Sequence, residues 1–316
     1  MKEFSLKHLE QYWEAIPRKP ELSYTFLTTE ENEKINLGYV DGNRSFALEN
    51  TTACPDLDRK YIQLKRVGLY ITITLKDKRF YSLFNDFIVS VYNKITDSSS
   101  DNDQGILLIN MFNTWVQFFE SRKYGRLSDI KIQGLLGELQ VLHYLLQDAS
   151  PADVNKILDS WKGPYKKTQD FYLAEKNIEV KTALNGSNMV KISSEHQLDS
   201  EEAKEIELAI VLMNNEDNNG VTLNQLYGSI KKRIHALKGE LNILLAGLNS
   251  LKLQENQLID YDNLSYNFSS IKFYNAGDNN FPKIVNKNKS AEINSVRYSL
   301  KFDGLQEVLD YPITQK

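Results

Sequence analysis

The pattern of hydrophobic and polar positions divides the chain into a strand-rich first part and a mixed remainder. Between residues 22 and 75, apolar and polar side chains alternate in short runs, which is typical of half-buried strands. These runs predict strands over residues 22–28, 34–40, 44–48, 61–65 and 68–75. Asp41-Gly42-Asn43 separates two of the runs and favours a hairpin turn. We therefore expect a mostly antiparallel N-terminal sheet, preceded by a short helix over residues 5–15 that opens at Ser5.

After residue 78 the apolar residues first recur every three or four positions, and later segments mix helical and strand-like patterns. Helices are predicted over residues 79–94, 104–121 and 240–251, around Glu138, and after an N-cap at Thr222. Strands are predicted over residues 170–173, 177–183, 189–193, 264–275 and 294–302. Residues 206–213 are almost continuously apolar, which favours a strand buried on both faces. The predicted fold class is α/β (α+β), with a mixed central sheet flanked by helices after an antiparallel β-rich region.

A short basic segment, Arg122-Lys-Tyr-Gly-Arg126, marks the predicted boundary between two domains. Residues 1–125 would form a β-rich and helical region that serves as a scaffold, a recognition module or a docking module. Residues 126–316 would form the mixed-sheet core with a C-terminal strand extension. The basic segment itself is either a solvated turn or a phosphate contact.

Composition narrows the class of protein without identifying its activity. Hydrophobic residues make up 41% and charged residues 25% of the 316 positions, which is typical of a globular protein. No apolar run has the length of a membrane span, and the first residues lack the apolar core of a signal peptide. The one cysteine, Cys54, excludes an internal disulfide and favours a cytoplasmic location. The net charge of −4 does not exclude nucleic acid, because positive charge needs to line only one cleft.

Two carboxylates and a lysine fall on one face of a predicted hairpin. In the alternating segment around Glu179, this residue and Lys181 share one strand face. If Ala174 pairs with Asn177, Asp170 on the preceding strand faces Lys181 and becomes a diagonal neighbour of Glu179. Their Cα atoms would then lie roughly 7–8 Å apart. Carboxylates at that separation can share a hard cation such as Mg²⁺.

A third carboxylate, Glu138, lies on the helix before this hairpin. The apolar stripe of that helix consists of Ile132, Leu135, Leu139, Leu142 and Leu146. At 3.6 residues per turn, Glu138 falls inside the apolar arc. A carboxylate there needs a cation or strong hydrogen bonds, because burying it unpaired is costly. Either a metal shared with Asp170 and Glu179 or an ion pair with Lys131 would meet that need.

These residues resemble the PD-(D/E)XK nuclease superfamily, which has the restriction-endonuclease-like fold. The matching segments are Gly134-Leu-Leu-Gly-Glu138-Leu, Trp161-x-Gly163-Pro164, Asp170-Phe171, Glu179-Val-Lys-Thr182, Ile192-Ser-Ser-Glu-His-Gln-Leu198 and Phe281-Pro282-x-Ile284. They are similar to bacterial PD-(D/E)XK motif proteins associated with restriction and phage-defence systems. The resemblance covers roughly residues 125–300. The proline that names the motif is absent, and Gln169 stands in its place.

The resemblance implies hydrolysis of DNA phosphodiester bonds with Mg²⁺, for which Mn²⁺ would substitute. The catalytic residues would be Glu138, Asp170, Glu179 and Lys181. Asp170, Glu179 and the main chain of Val180 would hold the metal, which Glu138 would reach directly or through a water. Lys181 would orient or deprotonate the attacking water.

Residues beyond this group have a functional and a structural interpretation. Gln197 either hydrogen-bonds substrate or caps the next helix, and the neighbouring His196 is a candidate base that is more often structural. Lys166 and Lys167 follow a Gly-Pro turn, where they either contact the DNA backbone or are simply solvated. The basic cluster at residues 231–233 is either a solvated helix face or a DNA-facing one.

The expected partners are double-stranded DNA and, from the resemblance, methyltransferase or ATPase subunits of a defence system and a second copy of the chain. No membrane partner is expected. Two rival hypotheses stay open. One is a catalytically idle DNA-binding or assembly subunit on the same fold. The other is a purely structural globular protein without affinity for DNA.

Overall fold

The computed structural model describes residues 4–17, 24–30, 32–98, 100–120, 125–199, 204–216 and 219–313. Contacts divide the chain into two units, residues 1–123 with 240–245 and residues 124–239 with 246–316. The predicted basic boundary segment and the start of the first predicted strand fall largely on residues outside the described ones. No helix in the described ranges is long and apolar enough to cross a membrane.

The first unit combines one antiparallel sheet with helices. Its elements are α1 (Leu6–Ala15), β1 (Tyr24–Thr29), β2 (Asn32–Val40), β3 (Asn43–Glu49), β4 (Leu57–Asp58), β5 (Ile62–Val67), β6 (Tyr70–Leu75), α2 (Tyr81–Thr96) and α3 (Asp101–Trp115). The strand order is β1-β2-β3-β6-β5-β4, and every neighbouring pair is antiparallel. The predicted antiparallel N-terminal sheet is therefore confirmed.

Local signals explain where several of these elements begin. The Ser5 hydroxyl accepts a hydrogen bond from the His8 amide and caps α1. Asp41 and Gly42 both have positive φ, of 48° and 75°, as a tight hairpin between β2 and β3 requires. Ser100 caps α3, so this helix begins at Asp101, three residues earlier than predicted.

The second unit contains the mixed sheet. Its elements are α4 (Asp129–Gln147), α5 (Val154–Ser160), β7 (Phe171–Tyr172), β8 (Lys176–Leu184), β9 (Met189–Ile192), β10 (Glu205–Asn215), β11 (Val221–Thr222), α6 (Leu223–Ala236), α7 (Leu241–Ser250), β12 (Ser265–Asn275), β13 (Tyr298–Lys301) and β14 (Leu309–Pro312). The first residues of α7 group with the other unit. α5 and β14 were not predicted from the sequence.

The sheet of this unit has the order β11-β12-β10-β8-β7, with β14 beside β12. β10 is parallel to β8 and antiparallel to β12, so the sheet is mixed. β10 lies between two strands and is buried on both faces, as its apolar run predicted. β9 pairs instead with β13 in a separate two-stranded sheet. The predicted fold class, a mixed sheet flanked by helices after an antiparallel region, is confirmed.

Candidate active site

The hairpin of β7 and β8 forms at the predicted place but in a different register. Phe171 lies opposite Ile178, and the Leu173 amide donates to the Lys176 carbonyl (2.9 Å). The predicted pairing of residue 174 with residue 177 is therefore wrong, and the register differs by two residues. Side chains alternate with a period of two, so the pattern of polar residues fits both registers equally well. The even shift keeps every side chain on its predicted face.

The end of β7 brings Asp170 next to Glu179. The regular pairing stops at Phe171, where the Asp170 amide donates to the Ile178 carbonyl (3.1 Å) and holds the residue against β8. Asp170 therefore does not face Lys181, as the predicted register required. Its charge acts on the Glu179 carboxylate, so the hairpin supplies two neighbouring carboxylates.

The backbone of Val180 fixes the orientation of Asp170. Its N–H donates to Asp170 Oδ2 at 2.8 Å. In a strand, the N–H and C=O of one residue point to the same side, as the paired bonds of antiparallel ladders require. The Val180 carbonyl therefore opens toward Asp170 as well. This geometry is compatible with the predicted main-chain contribution of Val180.

A close approach of α4 to β8 brings Glu138 to the same place. A Cβ atom at Gly137 would lie 2.4 Å from Thr182 Cγ2, so only glycine permits this distance between helix and strand. Glu138 follows it directly, and its Oε2 accepts a hydrogen bond of 2.7 Å from Trp161 Nε1. Lys131, the alternative partner considered from the sequence, is exposed. Glu138 is thus hydrogen-bonded to an indole and not paired with this lysine.

A second glycine borders both carboxylates. A Cβ atom at Gly163 would lie 2.3 Å from Glu138 Oε2 and 2.9 Å from Asp170 Oδ1. Both oxygens therefore lie next to one point, and a side chain at Gly163 would displace them. The amide of Gly163 donates to the Asp170 carbonyl (3.1 Å), which keeps the segment in place. Glu138 and Asp170 are near neighbours across this glycine.

Burial raises the pKa of all three carboxylates, and repulsion by neighbouring carboxylates adds to the increase for Glu138 and Glu179. Glu179 is only 1% exposed, and burial together with Asp170 raises its pKa to about 8. Burial and the charges of Asp170 and Glu179 raise the pKa of Glu138, and burial also raises the pKa of Asp170. Lys181 forms an ion pair with Glu179. Burial alone would lower the pKa of Lys181, but Glu179 and the other two carboxylates raise it.

The donor set fits a hard divalent cation. Three carboxylates face one lysine, so the deprotonated cluster carries excess negative charge, and its remaining donors are oxygens, which Mg²⁺ prefers. Within the described ranges, no three His, Cys, Asp or Glu side chains already form a metal site. Here Glu179 is turned to Lys181, and one oxygen of Asp170 is taken by Val180. These bonds use Glu179 Oε1 and Asp170 Oδ2, which leaves the second oxygen of each carboxylate for a cation.

Two residues beside the candidate site, Trp161 and Gly163, were given no role from the sequence, where they appeared only in a matching segment. The ring of Trp161 contacts Gly247, where a Cβ atom would lie 2.7 Å from Cζ3 of the indole. Trp161 is 2% exposed, so a buried indole N–H needs a partner, and Glu138 supplies it. The Trp161-x-Gly163-Pro164 motif was the available signal.

Gln169, at the position of the missing proline, has a structural role. It is buried, and its Nε2 donates to the carbonyls of His196 (3.0 Å) and Asp199 (3.1 Å). Gln197 Oε1 accepts from the Ser193 amide (2.7 Å) and closes the same turn. The described residues that follow β9, 193–199, form a turn, so within them the alternative that Gln197 caps a helix is not met. The predicted substrate role of Gln197 stays a prediction.

The basic residues considered as DNA contacts fall into two groups. Lys166 and Lys167 are exposed, and Lys166 has a positive φ of 57° after the Gly163–Tyr165 turn. The cluster on α6 is largely engaged within the chain. Lys231 pairs with Glu255 (2.9 Å), and Arg233 donates to the carbonyls at the end of α4, Leu146 (2.9 Å) and Gln147 (2.6 Å). These contacts favour the structural interpretation of the α6 cluster.

A mixed sheet flanked by helices, with a helix glutamate beside a strand-borne Asp and a Glu-x-Lys strand, is the arrangement of PD-(D/E)XK proteins, which are typically nucleases. A family model described as "Putative PD-(D/E)XK family member, (DUF4420)" matches residues 9–303. The chain belongs to this family. No curated protein and no solved structure matches it.

Proposed function

We propose that this protein is a metal-dependent endonuclease that hydrolyses phosphodiester bonds of double-stranded DNA. The observation that supports the proposal is the convergence of three buried carboxylates and one lysine. Family membership supports the same class of reaction. The setting in a bacterial restriction or phage-defence system, with methyltransferase or ATPase partners, rests on the sequence resemblance alone.

The chain's own residues divide the task. Asp170, Glu179 and the Val180 carbonyl would hold Mg²⁺ or Mn²⁺, with Glu138 as a direct or water-mediated ligand. When bound, the cation lowers the pKa of a water and offsets negative charge on the phosphate. The Val180 amide keeps Asp170 oriented, because it already binds Oδ2 at 2.8 Å.

Lys181 is the group proposed to act on the water. It lies two residues from Glu179 on the same strand face, and its side chain is 18% exposed. In the absence of a cation its charge is committed to Glu179. With a cation bound to Glu179, the Lys181 ammonium would orient the attacking water and stabilise negative charge on the phosphate.

A second candidate is a catalytically idle DNA-binding or assembly subunit on the same fold. The pairing of Glu179 with Lys181, together with the lack of a preformed three-residue metal site in the described part of the chain, favours it. The two candidates differ in whether the cluster binds a divalent cation when DNA is present.

The test incubates supercoiled plasmid with the full chain and Mg²⁺, Mn²⁺ or EDTA. We expect nicked and linear products with either cation and none with EDTA. Lys181→Ala should lose activity by about 10²–10⁴-fold, the contribution of a positioned proton-transfer group. Lys191→Ala, which removes an exposed lysine from the neighbouring strand β9, is the matched control and should cut normally.

Equal cutting by the wild type and Lys181→Ala would remove Lys181 from the mechanism. Absence of cutting by both, with DNA binding retained in gel shifts, would support the idle subunit. Absence of both cutting and salt-sensitive DNA binding would support the purely structural protein.

A further inference from the structure

The first unit has a cavity of about 470 Å³ beside the edge strand of its sheet. A cavity of this size lies in the range of small-ligand sites. One wall is the turn between β4 and β5, and the other is the 3₁₀ turn after α3. Its lining includes Arg59, Lys60, Tyr61, Val116, Phe119 and Glu120.

The turn that carries the cationic residues is firmly held. The Arg59 amide donates to the Ile62 carbonyl (3.1 Å), and the Lys76 amide donates to the Tyr61 carbonyl (2.8 Å). Lys76 Nζ donates to the Arg59 carbonyl at 3.0 Å. These bonds fix the backbone on both sides of Lys60. The wall is therefore preorganised, which lowers the entropic cost of binding a ligand.

The charge of this wall is positive. Arg59 and Lys60 are exposed, and neither forms an ion pair with a carboxylate among the described residues. The neighbouring carboxylates already have cationic partners, in the pairs Lys76–Asp58 and Arg79–Asp77. Glu120, the acidic residue of the lining, has an interaction of its own. Two cations are thus available to an anionic ligand.

An aromatic ring lies directly beside these charges. Lys60 Nζ is 4.9 Å and Arg79 Cζ is 5.6 Å from the centre of the Tyr61 ring. The Tyr61 ring is half-buried and lies 5.2 Å from that of Phe80, at an angle of 48°. Hydrogen bonds to Lys60 and Arg79 lower the pKa of Tyr61, as expected in a positive environment.

We propose that this cavity binds one unpaired nucleotide, with phosphate at Arg59 and Lys60 and the base against Tyr61. Exposed cations without a carboxylate partner position phosphates, and aromatic rings stack on bases of any sequence. The nucleotide is either free or part of a single strand. A duplex does not fit this chemistry, because its bases are stacked on one another. The inference does not rest on nuclease activity.

The first experiment measures binding of a 5′-fluorescein-labelled 12-nucleotide single-stranded DNA to the full chain by anisotropy, in EDTA, from 50 to 200 mM salt. Arg59→Gln/Lys60→Gln should lower the slope of log affinity against log salt by about 1.4, for two phosphate contacts on a single strand. The matched control, Lys7→Gln/Lys156→Gln, removes two exposed lysines elsewhere and should leave the slope unchanged.

The second experiment tests the base. Tyr61→Leu keeps apolar volume but removes the ring face, and we expect binding to weaken by about five- to 150-fold. Tyr61→Phe keeps the ring face and should bind like the wild type. A duplex of the same sequence should bind with equal strength to the wild type and to Tyr61→Leu.

Competition distinguishes the two sources of the nucleotide. Displacement of the labelled strand by AMP would indicate a site for free nucleotides, whereas displacement only by unlabelled strand would indicate a contact along a strand. The inference is overturned if Arg59→Gln/Lys60→Gln behaves like the control double variant, or if Tyr61→Leu binds as tightly as Tyr61→Phe. Failure to cut plasmid would not bear on it.

Discussion

Replacing Gly163 by alanine would test the candidate active site at its most crowded point. The added methyl group would lie 2.3 Å from Glu138 Oε2 and 2.9 Å from Asp170 Oδ1. Ordinary non-bonded contact is about 3.5 Å, so the Glu138 carboxylate must withdraw by roughly 1 Å. That movement breaks or stretches its 2.7 Å hydrogen bond from Trp161.

The cost to folding should be small. Gly163 is not among the glycines with positive φ, so alanine can adopt its backbone conformation. The loss of glycine's flexibility in the unfolded chain stabilises by about 0.4–1 kcal/mol, and overpacking costs about 1–3 kcal/mol. Because the clashing atoms end flexible side chains, the overpacking should lie at the low end. The two effects then offset to within about 1–2 kcal/mol.

The cost to activity should be large. Misplacing a reacting group by about 1 Å can lower a rate about 10²-fold, because catalysis depends on preset geometry. We therefore expect Gly163→Ala to fold normally by circular dichroism and urea unfolding but to cut plasmid about 100 times more slowly. Gly228→Ala is the matched control, since a Cβ atom there has no neighbour within 4 Å.

A double variant identifies the clash. Glu138→Asp shortens the side chain by one methylene and makes room for the methyl group. Gly163→Ala/Glu138→Asp should then cut faster than the product of the two single effects predicts, since contacting residues are not additive. Full activity in Gly163→Ala would refute the reasoning, because the position of Glu138 would then not matter. Unfolding of Gly163→Ala would show that the side chains cannot absorb the clash.

Three further predictions follow from individual contacts. Trp161→Phe keeps a buried ring but removes the hydrogen bond that orients Glu138. Because such supporting bonds hold metal ligands in place, the affinity for Mn²⁺ measured by calorimetry should fall about 10- to 100-fold. Unchanged affinity would contradict this. Without metal, Glu179 has a pKa of about 8 instead of 4.5, so the folded chain binds more protons and loses stability as pH rises from 4.5 to 8. Glu179→Gln should remove this part of the pH dependence in urea unfolding at pH 5 and pH 8, and an identical dependence would disprove it. Gln169→Glu places a carboxylate against the carbonyls that Nε2 binds in the wild type. It should lower the free energy of unfolding by more than Gln169→Ala does, for which about 1–3 kcal/mol is expected. Equal unfolding midpoints for the two variants would contradict this.

Local patterns were sufficient for much of the fold. The alternation around Glu179 fixed the face on which Glu179 and Lys181 lie, because side chains of a strand alternate whatever it pairs with. The apolar run of β10 indicated burial on both faces for the same reason. The N-caps at Ser5 and Thr222 could be predicted from the sequence, because a cap bonds to the backbone only three residues away.

Contacts between residues far apart in the chain could not be predicted from such local patterns. The predicted register of β7 on β8 differs from the observed one by two residues, because the period-two pattern is unchanged by such a shift. The hydrogen bond from Trp161 to Glu138 joins residues 23 positions apart on different elements, and nothing local to either one specifies the other. The same holds for Arg233. Its charge suggested a DNA contact, but in the structure its guanidinium donates to a carbonyl at the end of α4.

The chain by itself thus determined which carboxylates belong to the candidate site, the faces of their strands, and the family resemblance. Only the tertiary structure decided how close they lie, that Gly163 leaves the space for them, and that an indole N–H holds Glu138. The physical reason is that faces follow from backbone geometry within one element. Distances between elements depend on how all of them pack.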